Sequence, residues 1–102
     1  MVTTTLLVDG MLSGTGLRDA VDGGYIEPVS LGVSAGLADA LADWVSNYGQ
    51  AHLEGYNDAD AVTSLDGQGM ALVARLASER PDHTVGYYSS ALMRRLDHWP
   101  HA

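Results

Sequence analysis

The chain predicts a small α+β domain of two layers, with a helical pair packed on a small antiparallel sheet. Three observations carry that expectation. Leu37, Leu41, Trp44 and Tyr48 recur at steps of four, three and four, which places them on one stripe of an α-helix. Leu65, Gly69, Leu72 and Leu76 repeat the rhythm, so two helices with matching stripes bury them against each other. Short runs rich in β-formers, TTTLLV at 3–8 and HTVGYYS at 83–89, flank the pair. With 102 residues, 46% of them hydrophobic, the chain is long enough for one core and one domain.

Taken in order, the first strand covers 3–8 and stops at Asp9-Gly10. Residues 10–28 hold five glycines, at 10, 14, 16, 23 and 24, and read as a long loop. Within it, Leu17 and Val21 have the spacing of one helical turn, Asp22-Gly23-Gly24 is a turn, and Tyr25 and Ile26 suit a short ribbon. The loop is also the place from which a third strand can come. Ser34 is a good N-cap, because its hydroxyl can accept from a free backbone N–H of the first turn. The first helix runs from there to about Leu53. Asn57 or Asp58 caps the second, which ends near Arg80 ahead of Pro81. Gly69 lies on its apolar stripe, where a missing side chain lets Trp44 or another backbone come close. On the strand at 83–89, Val85 and Tyr87 share one face and Thr84, Gly86 and Tyr88 the other. Ser89 or Ser90 then caps a short last helix, ALMRRLD. The order is strand, long loop, helix, helix, strand, short helix. Two antiparallel helices reverse the chain between the strands, so adjacent strands are expected to pair antiparallel.

Thirteen acidic residues face five arginines and no lysine, a formal charge of −8. Such a chain is repelled by phosphate backbones and by acidic membrane surfaces, so neither nucleic acid nor membrane is an expected partner. A protein partner with a basic surface is favoured, since complementary fields speed encounter. There is no cysteine, which removes disulfides, thiol catalysis and thiolate metal sites. The first ten residues lack the features of a signal peptide, and no window approaches the roughly 18 apolar residues of a membrane span. The expected location is the cytoplasm, and the expected state a monomer or homodimer.

Two glycine motifs invite a chemical reading. Gly32-Val33-Ser34-Ala35-Gly36 fits G-x-S-x-G, which in hydrolases puts a nucleophilic serine between a strand and a helix. Asp60 or Asp66 with His83 fits the order of a triad, but the strand before Ser34 is poor and the chain is short, so Ser34 reads as a cap. The segment 10–16, GMLSGTG, follows a strand as a phosphate-cradling loop does, without the P-loop lysine. Its ligand set would be Ser13, Gly14, Gly16 and Arg18, joined by Ser34. The histidines, at 52, 83, 98 and 101, show no metal-ligand spacing, and no cofactor or metal is expected. All seven aromatics are Tyr or Trp, so each carries a polar group.

The run Tyr25-Ile26-Glu27-Pro28, then Leu31-Gly32-Val33-Ser34, then Leu37, Leu41, Trp44 and Tyr48 resembles small bacterial α/β proteins of about 100 residues. Gly69, Val85, Tyr87 and Tyr88 continue the outline, so the resemblance covers 25–89. Such proteins are often taken for immunity or accessory proteins. The resemblance implies no catalytic residue.

The leading expectation is therefore a non-enzymatic acidic binding protein of the immunity or inhibitor type. Its candidate contacts are Asp39 and Asp43 on the exposed helix face, Glu54, Asp58 and Asp60 around the helix connection, and Tyr88 on the strand. The competing expectation is a small hydrolase or anion-binding protein built on the loop at 10–24 and Ser34. A third is an oligomeric module pairing through an exposed strand edge.

Overall fold

The computed structural model describes residues 5–11, 14–21 and 23–96. Four strands and two long helices make up the chain: β1 (Thr5–Asp9), β2 (Leu17–Asp19), α1 (Ala35–Leu53), α2 (Ala59–Glu79), β3 (Thr84–Ser89) and β4 (Arg94–Leu96). A 3₁₀ turn at Pro28–Leu31 leads into α1. The strands form one mixed sheet in the order β2-β1-β3-β4, and the helical pair lies on one face of it.

Both stripes read from the sequence are buried. Leu37, Leu41, Trp44 and Tyr48 on α1 meet Leu65, Leu72 and Leu76 on α2, over Leu6, Val8, Leu17, Tyr87 and Leu96 of the sheet. Fully burying one large apolar side chain contributes about 1.5–3 kcal/mol, so these two stripes dominate the fold's stability. Trp44 completes its burial by donating its indole N–H to the Leu65 carbonyl at 2.9 Å. The caps also follow the sequence. Ser34 Oγ accepts from the Leu37 N–H at 3.2 Å, and Asp58 Oδ1 from the Ala61 N–H at 3.1 Å. α1 ends at Leu53, and Gly55 and Tyr56 then adopt positive φ to turn the chain into α2.

Three expectations are corrected. β1 and β3 are neighbours, but they pair parallel, with Leu6 opposite Val85 and Val8 opposite Tyr87. The reason is a reversal hidden in the glycine-rich segment. Leu17–Asp19 is not a helical turn. It is β2, which returns antiparallel along β1 with Leu7 opposite Arg18. The chain thus reverses once more than expected before β3, and the parity of reversals sets β3 parallel to β1. Tyr25 bridges Arg18 on the outer side of β2, which is the short ribbon expected there.

The last helix is also absent. Ser90 to Met93 form a turn, closed by the Met93 N–H donating to the Ser89 carbonyl at 2.7 Å, and β4 follows. Ser89 Oγ does accept from the Leu92 N–H at 3.1 Å, as a cap would. The turn does not propagate because the Ala91 N–H is bonded to the Tyr48 hydroxyl and Met93 takes a φ of 57°. Seven residues are in any case too few for a helix without strong tertiary support. An extended β4 instead delivers Leu96 to the core opposite Tyr87.

Candidate functional site

On α1 and its C-cap, Asp39, Asp43, Asn47, Gln50 and Glu54 follow one another at helical spacing, and all are exposed. They form the outer stripe of the helix, opposite the one that makes the core. Beside this stripe the two helices leave a groove, because the residues facing each other across it are small or short: Ala40 and Ala51 on α1, Ala61, Ser64 and Ala71 on α2. Two adjoining hollows, of about 370 and about 320 Å³, share Asn47 and Gln68 and so form one channel. Asp43 and Arg75 line one end and Glu54 the other. Glu54 accepts from the Gln50 side chain at 3.0 Å.

Asp58 and Asp60 stand at the start of α2, where the helix dipole favours negative charge. Asp39, Asp43, Glu54, Asp58 and Asp60 are thus brought onto the helical layer, and none forms an ion pair with a described residue. Tyr88 is not brought to them. It alternates with Tyr87 along β3, and so belongs to the face of the sheet turned away from the helices.

The residues of the competing ligand set are separated. Ser13 lies outside the described residues. Gly14 borders a cleft of about 400 Å³ between the loop, the 3₁₀ turn and the Ala38, Ala42 and Val45 face of α1. The charged residue lining that cleft is Glu27, so it offers an anion no cation. Gly16 packs on Val45 and Leu41 of α1. Arg18 leans across β1, with Nε 3.1 Å from Asp9 Oδ2. Ser34 is at the start of α1, where its N–H and hydroxyl both donate to the Glu79 carboxylate, at 2.6 and 2.7 Å. These two bonds hold the Glu79 carboxyl below its ordinary pKa. Neither described histidine hydrogen-bonds Ser34. His52 Nδ1 lies 3.1 Å from the Tyr56 hydroxyl, and His83 Nε2 lies 3.6 Å from Asp82.

Sequence reasoning missed two buried carboxylates. Asp66, 2% exposed, accepts from the hydroxyls of Tyr48 at 2.8 Å, Tyr87 at 2.5 Å and Ser89 at 2.9 Å. Asp9, fully buried at the end of β1, accepts from the Met11 N–H at 3.0 Å and the Ser90 hydroxyl at 3.1 Å, beside the Arg18 guanidinium. A signal for Asp66 was present. A core whose aromatics all carry polar groups needs an acceptor, and Asp66 lies three residues before Gly69, at the edge of the α2 stripe.

Burial is the main cause that pushes the Tyr48 hydroxyl up to about 12, against opposing hydrogen bonds from Ser89 and Ala91. Tyr87 is pushed up more strongly, by burial first and by its bond to Asp66 second. Both hydroxyls therefore keep their protons at neutral pH and serve as donors to Asp66. None of the clefts described above is lined by Asp66, Tyr48, Tyr87 or Ser89, so the network is an internal fastening.

Among the described residues no cluster of three His, Asp or Glu is placed to hold a metal ion. No described helix is long and apolar enough to cross a membrane. No protein-family model matches the chain, and no curated protein matches it significantly.

Proposed function

We propose that this chain is a non-enzymatic binding protein of the immunity or inhibitor type, which docks its helical layer on a protein partner with a basic surface. The observation that carries the reading is the outer stripe of α1. Asp39, Asp43 and Glu54 stand exposed on one face, unpaired with any described cation, beside a groove walled by small residues. A basic side chain entering that groove gains the Glu54 carboxylate at one end, where no cation lines it, and Asp43 beside Arg75 at the other, while a chain of charge −8 steers a cationic partner toward it. Asp58 and Asp60 extend the acidic surface around the helix connection. The same reading places the protein in the cytoplasm, as a monomer or homodimer, without nucleic acid or membrane as a direct partner.

The test is affinity capture from an extract of the source cells, with the partner identified and its binding measured on purified components. The expected partner has a basic contact surface, and binding weakens as salt rises. It falls at least tenfold when Asp39, Asp43 and Glu54 are all changed to Arg. A partner bound equally well by that triple variant overturns the proposal.

A further inference from the structure

The helices cover one face of the sheet. Strand alternation turns Leu6, Val8, Tyr87 and Leu96 toward them, which leaves Leu7, Asp9, Gly86 and Tyr88 on the other face. The pairing adds one arginine from each edge strand, since Arg18 of β2 lies opposite Leu7 and Arg95 of β4 opposite Tyr88. Among the described residues no helix lies on this face. Leu7 is nevertheless 4% exposed and Asp9 fully buried.

Two arginines lie on this face. Arg18 reaches in from one edge, with Nε 3.1 Å from Asp9 Oδ2 and its guanidinium carbon 4.9 Å from the centre of the Tyr88 ring. Arg95 reaches in from the other edge and lies down over Gly86. One of its terminal nitrogens is 2.9 Å from the point where a Cβ on Gly86 would stand, and that point is 3.2 Å from Leu7 Cδ2. The glycine is what gives the guanidinium its place. Two of the chain's five cations thus converge on one small area of a molecule that carries thirteen carboxylates.

Their donors are not used up. Arg18 meets Asp9 through Nε, and no described acceptor bonds its terminal nitrogens. Arg95 forms no ion pair with a described carboxylate, and the Tyr88 hydroxyl has no described hydrogen-bond partner. Arg18 is also held in place by its ion pair and its aromatic stack, so little of its freedom is left to lose on binding. A fixed guanidinium with a free fork, a second guanidinium within reach and an aromatic ring beside them make a donor set that recognises an oxyanion on a flat organic body. Approach from two opposite edges suits a tetrahedral dianion better than a flat carboxylate, which one guanidinium can satisfy alone.

We propose that the face of the sheet turned away from the helices is a binding site for a small phosphate monoester, with Arg18 and Arg95 holding the phosphate over Gly86 and Tyr88. This site is separate from the acidic helical layer, on the far side of the sheet, and does not depend on the partner suggested above.

The experiment is an amide- and guanidinium-detected NMR titration of the full chain with phenyl phosphate, inorganic phosphate and benzoate, against potassium chloride at matched ionic strength. The expected result is saturable shifts at Gly86, Tyr88 and the Arg18 Nε–H, with phenyl phosphate binding more tightly than either other anion. Arg95→Met keeps a long side chain at this exposed position of β4 and removes the charge. It is expected to leave the thermal midpoint in place and to weaken phenyl phosphate roughly tenfold or more, the size of a lost charged hydrogen bond. Arg94→Met removes the same charge from the neighbouring position on the helix side of β4 and is expected to change nothing. Gly86→Ala displaces the Arg95 guanidinium and is expected to weaken binding with the strand intact. Shifts reproduced by potassium chloride, or equal affinity in wild type and Arg95→Met, overturn the proposal. Benzoate binding as tightly as phenyl phosphate overturns the assignment to phosphate.

Discussion

Gly69→Ala tests how tightly the two layers are joined. A Cβ at this position of α2 would stand 2.2 Å from Cε1 and 2.7 Å from Cζ of Tyr87, and 2.9 Å from Cζ2 of Trp44. Carbon atoms in favourable contact lie about 3.5–4.0 Å apart, so the Tyr87 ring must move by more than an ångström. It has nowhere soft to go. Tyr87 is 1% exposed and Trp44 2%, the two rings are 5.9 Å apart, and the Tyr87 hydroxyl is bonded to Asp66.

The cost has two parts and one offset. Overpacking a filled core costs about 1–3 kcal/mol. Pulling the hydroxyl from the buried carboxylate costs about 1.5–3 kcal/mol more. Alanine gains about 1 kcal/mol over glycine as a helix residue. The net expectation is a loss of about 3 kcal/mol, which for a domain of this size lowers the thermal midpoint by roughly 12–24 °C. Gly36→Ala is the internal comparison. Its Cβ would meet nothing nearer than an Arg75 terminal nitrogen at 3.8 Å, so only the propensity gain remains and stability rises by about 0.4–1 kcal/mol. Urea unfolding of both variants, with unchanged m-values, measures the difference. If the two substitutions stabilise alike, the close approach of Tyr87 to α2 is not a feature of the folded protein.

Three further outcomes follow from the polar contacts. Tyr48 titrates at about 12 in the fold against 10 in the unfolded chain. Below pH 10 both states hold the proton and stability is complete. Between pH 10 and 12 the unfolded chain ionises first, so stability falls as pH rises. Urea midpoints from pH 8 to 12 in Tyr48→Phe are expected to show a shallower fall, the remainder belonging to Tyr87, Tyr56 and Tyr25, whose hydroxyls burial also raises. An equal slope refutes this. The Glu79 carboxyl is held low by Ser34, so its contribution is present above the ordinary glutamate range and is lost as pH falls through its lowered value. Ser34→Ala removes the hydroxyl bond and keeps the backbone one, so it is expected to raise the Glu79 titration only part of the way back to the ordinary range, read by carboxyl NMR shifts, and to cost about 1 kcal/mol through the lost cap. Arg18→Met strips the fully buried Asp9 of its cation. It is expected to cost about 3 kcal/mol, tempered by the 27% exposure of the Arg18 side chain. Chemical denaturation that finds wild-type stability in this variant removes the ion pair from the account.

What could be read from the sequence divides along a physical line. α1 and α2 were legible because their apolar residues repeat at the period of the helix, and burial of a stripe fixes which way the other residues point. The same logic exposed Asp39 and Asp43 before any coordinates, since they lie opposite Leu37, Leu41 and Tyr48, while Glu54 was read into the helix connection and continues their stripe as the C-cap. A third strand from the loop was expected and β2 is it, but its residues and direction were not legible, and neither was β4. Each is three residues long, too short to show alternation, and Leu17-Arg18-Asp19 and Arg94-Arg95-Leu96 suit a helix as well as a strand by composition. Both become strands because a neighbour supplies the hydrogen bonds, β1 in one case and β3 in the other. That dependence had consequences out of proportion to six residues. Missing β2 reversed the expected direction of β3 against β1, because each unseen reversal of the chain changes the parity of all that follow. Missing β4 left Arg95 on a helix, where it would have been one more solvated charge. Arg18 was seen, but as part of a loop aimed at an anion under Ser13 and Gly14. Only the pairing Leu7 to Arg18, and Tyr88 to Arg95, places the two guanidinium groups on one face, nine residues from Asp9 in one case and more than eighty in the other. The acidic surface of this protein is a property of one helix and its period. Its cationic face is a property of the sheet, and exists only once four separate segments have paired.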